Sequence, residues 1–164
     1  QTEAFLMFIQ LSNSDKQAII SDEDHHLISD KRWTLSSLGY VICRFKKDGK
    51  RVALLMHRVI LNAKKGSIID HRNHDLLDNR RENIRICSHS QNMANRKMSK
   101  SNSSGVRGVY FDSSKDRNGR PYRAQVNSNG KRYQKRFDDL ELARQWVRAM
   151  SIKFHGDFAC LDGC

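Results

Sequence analysis

A polar stretch most constrains what this chain can fold into: His71–Glu82 (HRNHDLLDNRRE), set between two short apolar segments. Ile68-Ile69 precede it and Ile84/Ile86 follow it, which predicts two strands, Ser67–Asp70 and Asn83–Cys87, joined by a loop too polar for a core. Met56–Leu61 predicts a short helix before them. Ser88, a good N-cap, predicts a helix over Ser88–Met98 after them. The layout places Asp70 and His71 at the end of one strand, with Asn83 starting the second and Asn92 on the helix that follows.

Those residue types at those places suit metal-assisted phosphodiester hydrolysis. A hard cation such as Mg²⁺ prefers oxygen ligands and keeps several waters, so Asp70 and the amide oxygen of Asn92 can suffice to hold it. Such a metal clamps the scissile phosphate and stabilises the leaving oxygen. Side chains alternate along a strand, so His71 points away from Asp70 and escapes capture by the metal. It is then the general base for water. Asn83 is the candidate that fixes the imidazole's orientation.

At MHRVIL, the IDH triplet, LDNRRENIRIC and SHSQNMANR the sequence resembles the HNH endonucleases, specifically the phage and intron homing type, over roughly forty residues. The resemblance implies a ββα-metal core at 56–98. It implies Asp70 and Asn92 as metal ligands, His71 as general base and Asn83 as the residue positioning it. Asn92 stands where other HNH enzymes carry His. That departure speaks against Zn²⁺ or Ni²⁺ and for Mg²⁺, with Mn²⁺ as the alternative.

The chain has 164 residues, enough for one ordinary domain or two small ones, and a net charge of +12. A pI near 9.9 points to a polyanionic partner. The excess is concentrated: between Arg96 and Arg136 stand 12 Lys and Arg against two Asp. No apolar run is long enough to span a membrane. The chain lacks an initiator Met and a signal peptide, and is expected to begin at a trimmed end. Cys43, Cys87, Cys160 and Cys164 form no Cys-x-x-Cys pair, which disfavours structural zinc. Cys43 and Cys87 fall in apolar strand patterns as buried thiols, consistent with a reducing cytoplasm.

Before the motif, strands are predicted at Ala4–Leu11 and Gln17–Ile20. Ser21 is read as the cap of a short acidic helix start, SDEDHHLISD. His25 and His26 are read as surface residues and Trp33 as a core anchor. Asp48-Gly49 between Gly39–Phe45 and Arg51–Leu55 is a hairpin signal. This β-rich leader resembles the one preceding the motif in phage HNH proteins, through DED, Trp33, Gly39-Tyr40 and MHR. His57 is read as a packed structural residue; the roles of His74 and His89 stay open.

Lys100–Ser104 (KSNSS) is a polar linker. After it come a strand over Gly105–Asp112, a turn-rich loop (SSKDRNG), a strand over Pro121–Asn127, a tight turn at Asn129-Gly130 and a strand over Lys131–Phe137. Asp138 or Asp139 caps a helix from Leu140 to Phe154. Pairing around Asn129-Gly130 puts Tyr122, Ala124, Val126, Tyr133 and Phe137 on the face that meets the helix. Arg123, Gln125, Asn127, Arg132, Gln134 and Arg136 fall on the open face. Arg, Gln and Asn are the side chains that read guanine and adenine edges in the major groove.

Through GVRGV, YRAQV, RF followed by DDLELA, and KFHGDFA, this part resembles the plant ethylene-response-factor type of DNA-binding domain. The resemblance implies that Arg107 and Tyr110 join the open-face residues at DNA. The third strand departs from that pattern at QKRF, leaving Arg132 and Lys131 as alternatives for one position.

The expected fold is therefore α+β. A nuclease domain at 1–98, with a small β-rich unit leading into the ββα-metal motif, is followed by a linker at 99–104. A DNA-binding domain at 105–164 carries a three-stranded antiparallel sheet on one helix. The expected activity is hydrolysis of double-stranded DNA at a preferred site, by a monomer or homodimer, in the cytoplasm of the bacterial host of a phage or mobile element. No membrane or obligate protein partner is indicated. The alternative is a non-enzymatic DNA-binding protein with a vestigial motif. An RNA-directed nuclease ranks lower, because the open face lacks a stacking platform for single-stranded bases.

Overall fold

The computed structural model describes residues 5–114 and 118–161. Ala4, residues 115–117 of the turn-rich loop and Cys164 lie outside them. The architecture is α+β, built from small antiparallel sheets and few helices. The chain divides into two compact units, residues 1–87 and 88–164.

In the first unit, β1 (Leu6–Gln10) and β2 (Gln17–Ser21) form a hairpin, and β2 leads through a tight turn at Asp22–Asp24 into one helical turn, α1 (His25–Ile28). Ser21 makes no side-chain cap, contrary to expectation. The acidic turn serves another purpose: Asp24 is buried and ion-paired to Arg81 at 2.7 Å. His25 and His26 are exposed. β3 (Thr34–Leu35), β4 (Val41–Lys47) and β5 (Lys50–Leu55) make a second sheet. Asp48 and Gly49, at φ 49° and 72°, close its hairpin as their left-handed preference predicts. The first half of β4 enters the core and the second half projects into solvent.

α2 (Met56–Ile60) then leads to the two-stranded sheet of β6 (Ile68–His71) and β7 (Ile84–Cys87). Trp33 anchors the core, among Leu11, Ile20, Ile28, Val41, Met56, Ile60 and Ile84. Its indole N–H donates to the Ile28 carbonyl at 2.8 Å, so the ring is buried without an orphaned donor. Cys43 and Cys87 are buried free thiols.

The second unit begins with α3 (His89–Ala94). Ser88 accepts from the Gln91 N–H while Gln91 reaches back to the Ser88 N–H, a complete capping box. The helix ends at Ala94, short of the expected Met98. β8 (Val109–Phe111), β9 (Tyr122–Ser128) and β10 (Lys131–Phe137) form an antiparallel sheet with β9 in the middle. β8 is shorter than expected because Gly105 and Gly108 both sit at positive φ. α4 (Leu140–His155) is capped by Asp139, which accepts from the Leu142 N–H at 2.9 Å. Ala143 and Val147 meet Val109, Ala124 and Val126 in the core; Tyr133 stacks on Phe154 and Phe137 leans on Trp146.

Gly108 marks a close approach. At φ 75°, a Cβ there would lie 2.9 Å from the Gln125 carbonyl oxygen and 3.1 Å from Val147. Gly108→Ala is therefore expected to cost about 1–3 kcal/mol through strain and overpacking. Urea unfolding of the full chain checks it, and an unchanged midpoint would refute the tight packing.

Candidate active site

β6 buries both of its last residues, on opposite faces. Asp70 pairs across the ladder with Arg85, which donates through Nε at 2.9 Å and through its terminal nitrogen at 2.8 Å to one carboxylate oxygen. Both side chains are nearly inaccessible, at 7% and 10% exposed. This is a desolvated ion pair, unlike the exposed pairs that contribute little. The sequence reading did not pair Asp70 with Arg85; the cross-strand register was the available signal.

His71 packs into a cluster of rings. Its centroid is 5.2 Å from His57, edge to face, and 6.4 Å from Tyr40; His57 and Tyr40 are 5.5 Å apart. Burial pushes His71 below its ordinary value, while Asn79 and the carboxylates of Asp70, Asp78 and Asp75 work against that fall. Burial, and the neighbouring His71 and Arg58, push His57 down to about 4. Two neutral imidazoles thus face each other at neutral pH. His57 is packed, as expected, but against His71 itself.

The polar loop holds this arrangement and is more ordered than its composition suggests. It runs beside β2: the Ile19 N–H donates to Leu77 at 2.8 Å and the Asn79 N–H to Ile19 at 2.7 Å. Asp78 and Asn79 are almost completely buried. Burial opposes ionisation of Asp78, but Arg80, bonding its carboxylate, holds it below the usual carboxylate range. His74 adopts φ 62°, with its N–H on the His71 carbonyl at 3.1 Å.

Asn83 acts on the loop. Its amide donates to the Asp78 carbonyl at 2.7 Å and its oxygen accepts from the Asn73 N–H at 3.0 Å. Both of these contacts are to the loop backbone, so Asn83 acts on the segment that follows His71. The Asn79 amide group donates to the Leu76 and Leu77 carbonyls at 3.3 and 3.1 Å.

Asn92 lies on α3 in the second unit, partly buried, with its N–H on the Ser88 carbonyl at 3.0 Å. Among the described residues no three His, Cys, Asp or Glu side chains gather as a metal site. Asp70 offers a carboxylate and Asn92 an amide oxygen, each a donor type that suits a hard cation retaining most of its waters. The pair does not fit the closed four-ligand set of structural zinc.

The C-terminal sheet adopts the expected register, with Arg132 opposite Asn127, Gln134 opposite Gln125 and Arg136 opposite Arg123. This places Arg132, not Lys131, in the open-face row. Tyr110 stands opposite Arg123, whose guanidinium lies 5.4 Å from the Tyr110 ring centre. Asn127, Arg132 and Gln134 are exposed; Gln125 donates to Asn127 at 3.3 Å. Arg136 is tied to Asp112 at 2.5 Å and to the Arg120 carbonyl. The Ser114 hydroxyl and Arg136 hold Asp112 down to about 2.

Arg107 departs from the expected row. Its guanidinium donates to the carbonyls of Met93, Ala94 and Cys160. It therefore closes the C-terminal end of α3, where a cation complements the helix dipole. Gly108 turns the chain between Arg107 and β8, which removes Arg107 from the strand's face.

The HNH endonuclease family matches residues 54–94, the span that holds Asp70, His71, Asn83 and Asn92. Protein 3.8 of Escherichia phage T7 is 30% identical over 95 residues, 58% of this chain and 75% of that protein. An uncharacterized HNH endonuclease, L560, of Acanthamoeba polyphaga mimivirus is 28% identical over 145 residues, 87% of this chain and 72% of its own length. Among solved structures, one titled for DNA binding and cleavage by the HNH homing endonuclease I-HmuI aligns with 47% of this chain and 48% of that one, at 19% identity and a TM-score of 0.34. The chain thus carries a span, residues 54–94, that matches the HNH endonuclease family, and it is related to protein 3.8 over three quarters of that protein.

Proposed function

We propose that this chain is a divalent-metal-dependent endonuclease that cuts double-stranded DNA at a preferred site, with the sheet of the second unit as its DNA-holding surface. One observation carries the reading: a buried carboxylate and an imidazole kept neutral by burial occupy adjacent positions of β6, inside the family span. Neutral His71 accepts a proton from the attacking water as its oxygen bonds to phosphorus and the leaving oxygen departs. His57 and Tyr40 pack against the ring and hold it against rotation. Asp70 and Asn92 would hold Mg²⁺ or Mn²⁺, which supplies charge stabilisation at the phosphate. Asn83 braces the loop that carries Asn79.

On the open face, Tyr110, Arg123, Gln125, Asn127, Arg132 and Gln134 are the base-reading candidates. Arg136 and Arg107 contribute instead by holding Asp112 and α3. The face keeps the ethylene-response-factor-like reading of that sheet. A nicking assay on supercoiled plasmid, with Mg²⁺ and with chelator, tests the reading: metal-dependent nicks support it, and intact plasmid under both conditions favours a DNA-binding protein with a vestigial motif. Arg123→Ala and Gln125→Ala are expected to relax preference at particular base pairs, by about 1–3 kcal/mol for a bidentate contact. Selection from a randomised duplex library reads that change directly.

A further inference from the structure

The second unit contains a cleft of about 840 Å³ bordered by α3, the segment after it, β9 and α4. Its cations come from two sides. Arg96 and Lys97 follow α3, and Arg144 and Arg148 stand on α4, with His89 and His155 also lining the space. Among the described residues, no Asp or Glu lines it. Ser and Asn side chains supply further polar groups, and Met93 and Val147 an apolar floor.

The charge here is crowded as well as abundant. Burial lowers the Arg107 guanidinium's affinity for its proton, and the neighbouring Arg96 lowers it further. Burial also lowers His155, opposed by its hydrogen bond to the Asn127 backbone, and Arg107 adds to the fall. Among the described residues, Arg144 has only a long contact to Glu141, at 3.4 Å between two well-exposed side chains. Like charges held together without a lining carboxylate raise the energy of the folded chain. An anion entering the cleft relieves that cost. The volume far exceeds one phosphate, and cations on both walls suit an extended chain of negative charges.

We infer that this cleft holds a segment of DNA sugar–phosphate backbone, with Arg96, Lys97 and Arg144 as phosphate contacts. The inference rests on the DNA-cleaving reading; Tyr110, Gln125 and Asn127 of the base-reading row also line the cleft, but its proposed phosphate contacts, Arg96, Lys97 and Arg144, are not among the base-reading candidates. It assigns sequence-independent affinity to the cleft and sequence preference to the open sheet face.

The test is binding of the full chain to duplex DNA in chelator, so that cleavage plays no part, across a series of salt concentrations. Each neutralised phosphate contributes about 0.9 to the slope of log affinity against log salt. The triple variant R96Q/K97Q/R144Q is expected to flatten that slope by about two to three and to weaken binding equally on every sequence. All three side chains are exposed, so folding is expected to survive; thermal melting checks this. K46Q/K47Q/K50Q, which removes the same charge from the β4–β5 hairpin, is the control and is expected to change the slope by less than one.

An unchanged slope in the cleft variant, or an equal drop in the control, overturns the cleft and leaves the nuclease reading standing. A loss confined to RNA duplexes overturns it too. Failure of the wild-type chain to bind DNA at all overturns both.

Discussion

His71→Ala is expected to lower the rate of DNA cleavage by about 10²- to 10⁴-fold, the scale of a lost general base, while duplex affinity in chelator stays close to wild type. The side chain is 4% exposed and enclosed by His57, Tyr40 and the polar loop, so it contributes almost nothing to a DNA-facing surface. The pH profile supplies an independent reading. A base must be neutral, so activity rises as pH passes upward through the folded-state value of His71. Burial places that value below 6.5, and the acidic limb is expected there, with a plateau by neutral pH. The same shift has a stability consequence of defined sign. Proton binding is weaker in the folded chain, so stability falls as pH drops below the unfolded value of about 6.5. A variant that cleaves at the wild-type rate, or a limb centred well above 6.5, would falsify the assignment.

Asp70→Ala is expected to have two large effects that can be separated. It removes the only carboxylate assigned to the metal, so Mn²⁺ binding measured by calorimetry is expected to vanish. It also strands Arg85 as a buried guanidinium without its carboxylate, at a cost of about 3–5 kcal/mol. Removing both partners is a smaller insult, because no orphaned charge remains. D70A/R85A is therefore expected to regain much of the stability lost by the single variant while remaining unable to bind Mn²⁺. Wild-type Mn²⁺ binding by Asp70→Ala would move the metal elsewhere. A double variant no more stable than the single one would mean that the loss does not come from Arg85.

Much of the fold was legible in local sequence. Asp48-Gly49 and Asn129-Gly130 fixed two hairpin registers because few residues tolerate positive φ, and those registers sorted every side chain that follows. Ser88 announced a helix start as an N-cap, and the fold completes it with Gln91 as a capping box. What escaped was decided by contacts between distant segments. The end of α3 depends on Arg107 and the backbone near Cys160, far along the chain. Leu77 and Asn79 meet Ile19 only because the loop lies along β2, which no local pattern records. Asp24 looks like a helix-start acid until Arg81 arrives from the loop. Arg107 reads as a strand residue unless the two flanking glycines are treated as breaks.

The seam between the polar loop and Ile19 bears on how this motif can be transplanted. Residues 72–83 have little apolar surface to fold on, and besides their local turns they gain two backbone bonds to Ile19 and the Asp24–Arg81 tie from segments fifty or more residues upstream. A graft of the motif span into another scaffold would deliver its chemical groups without the strand that sets their spacing. The smallest portable cassette from the first unit therefore begins with the β1–β2 hairpin and runs through β7. Insertions that lengthen the leader are tolerable only outside the strand edge that Leu77 and Asn79 occupy.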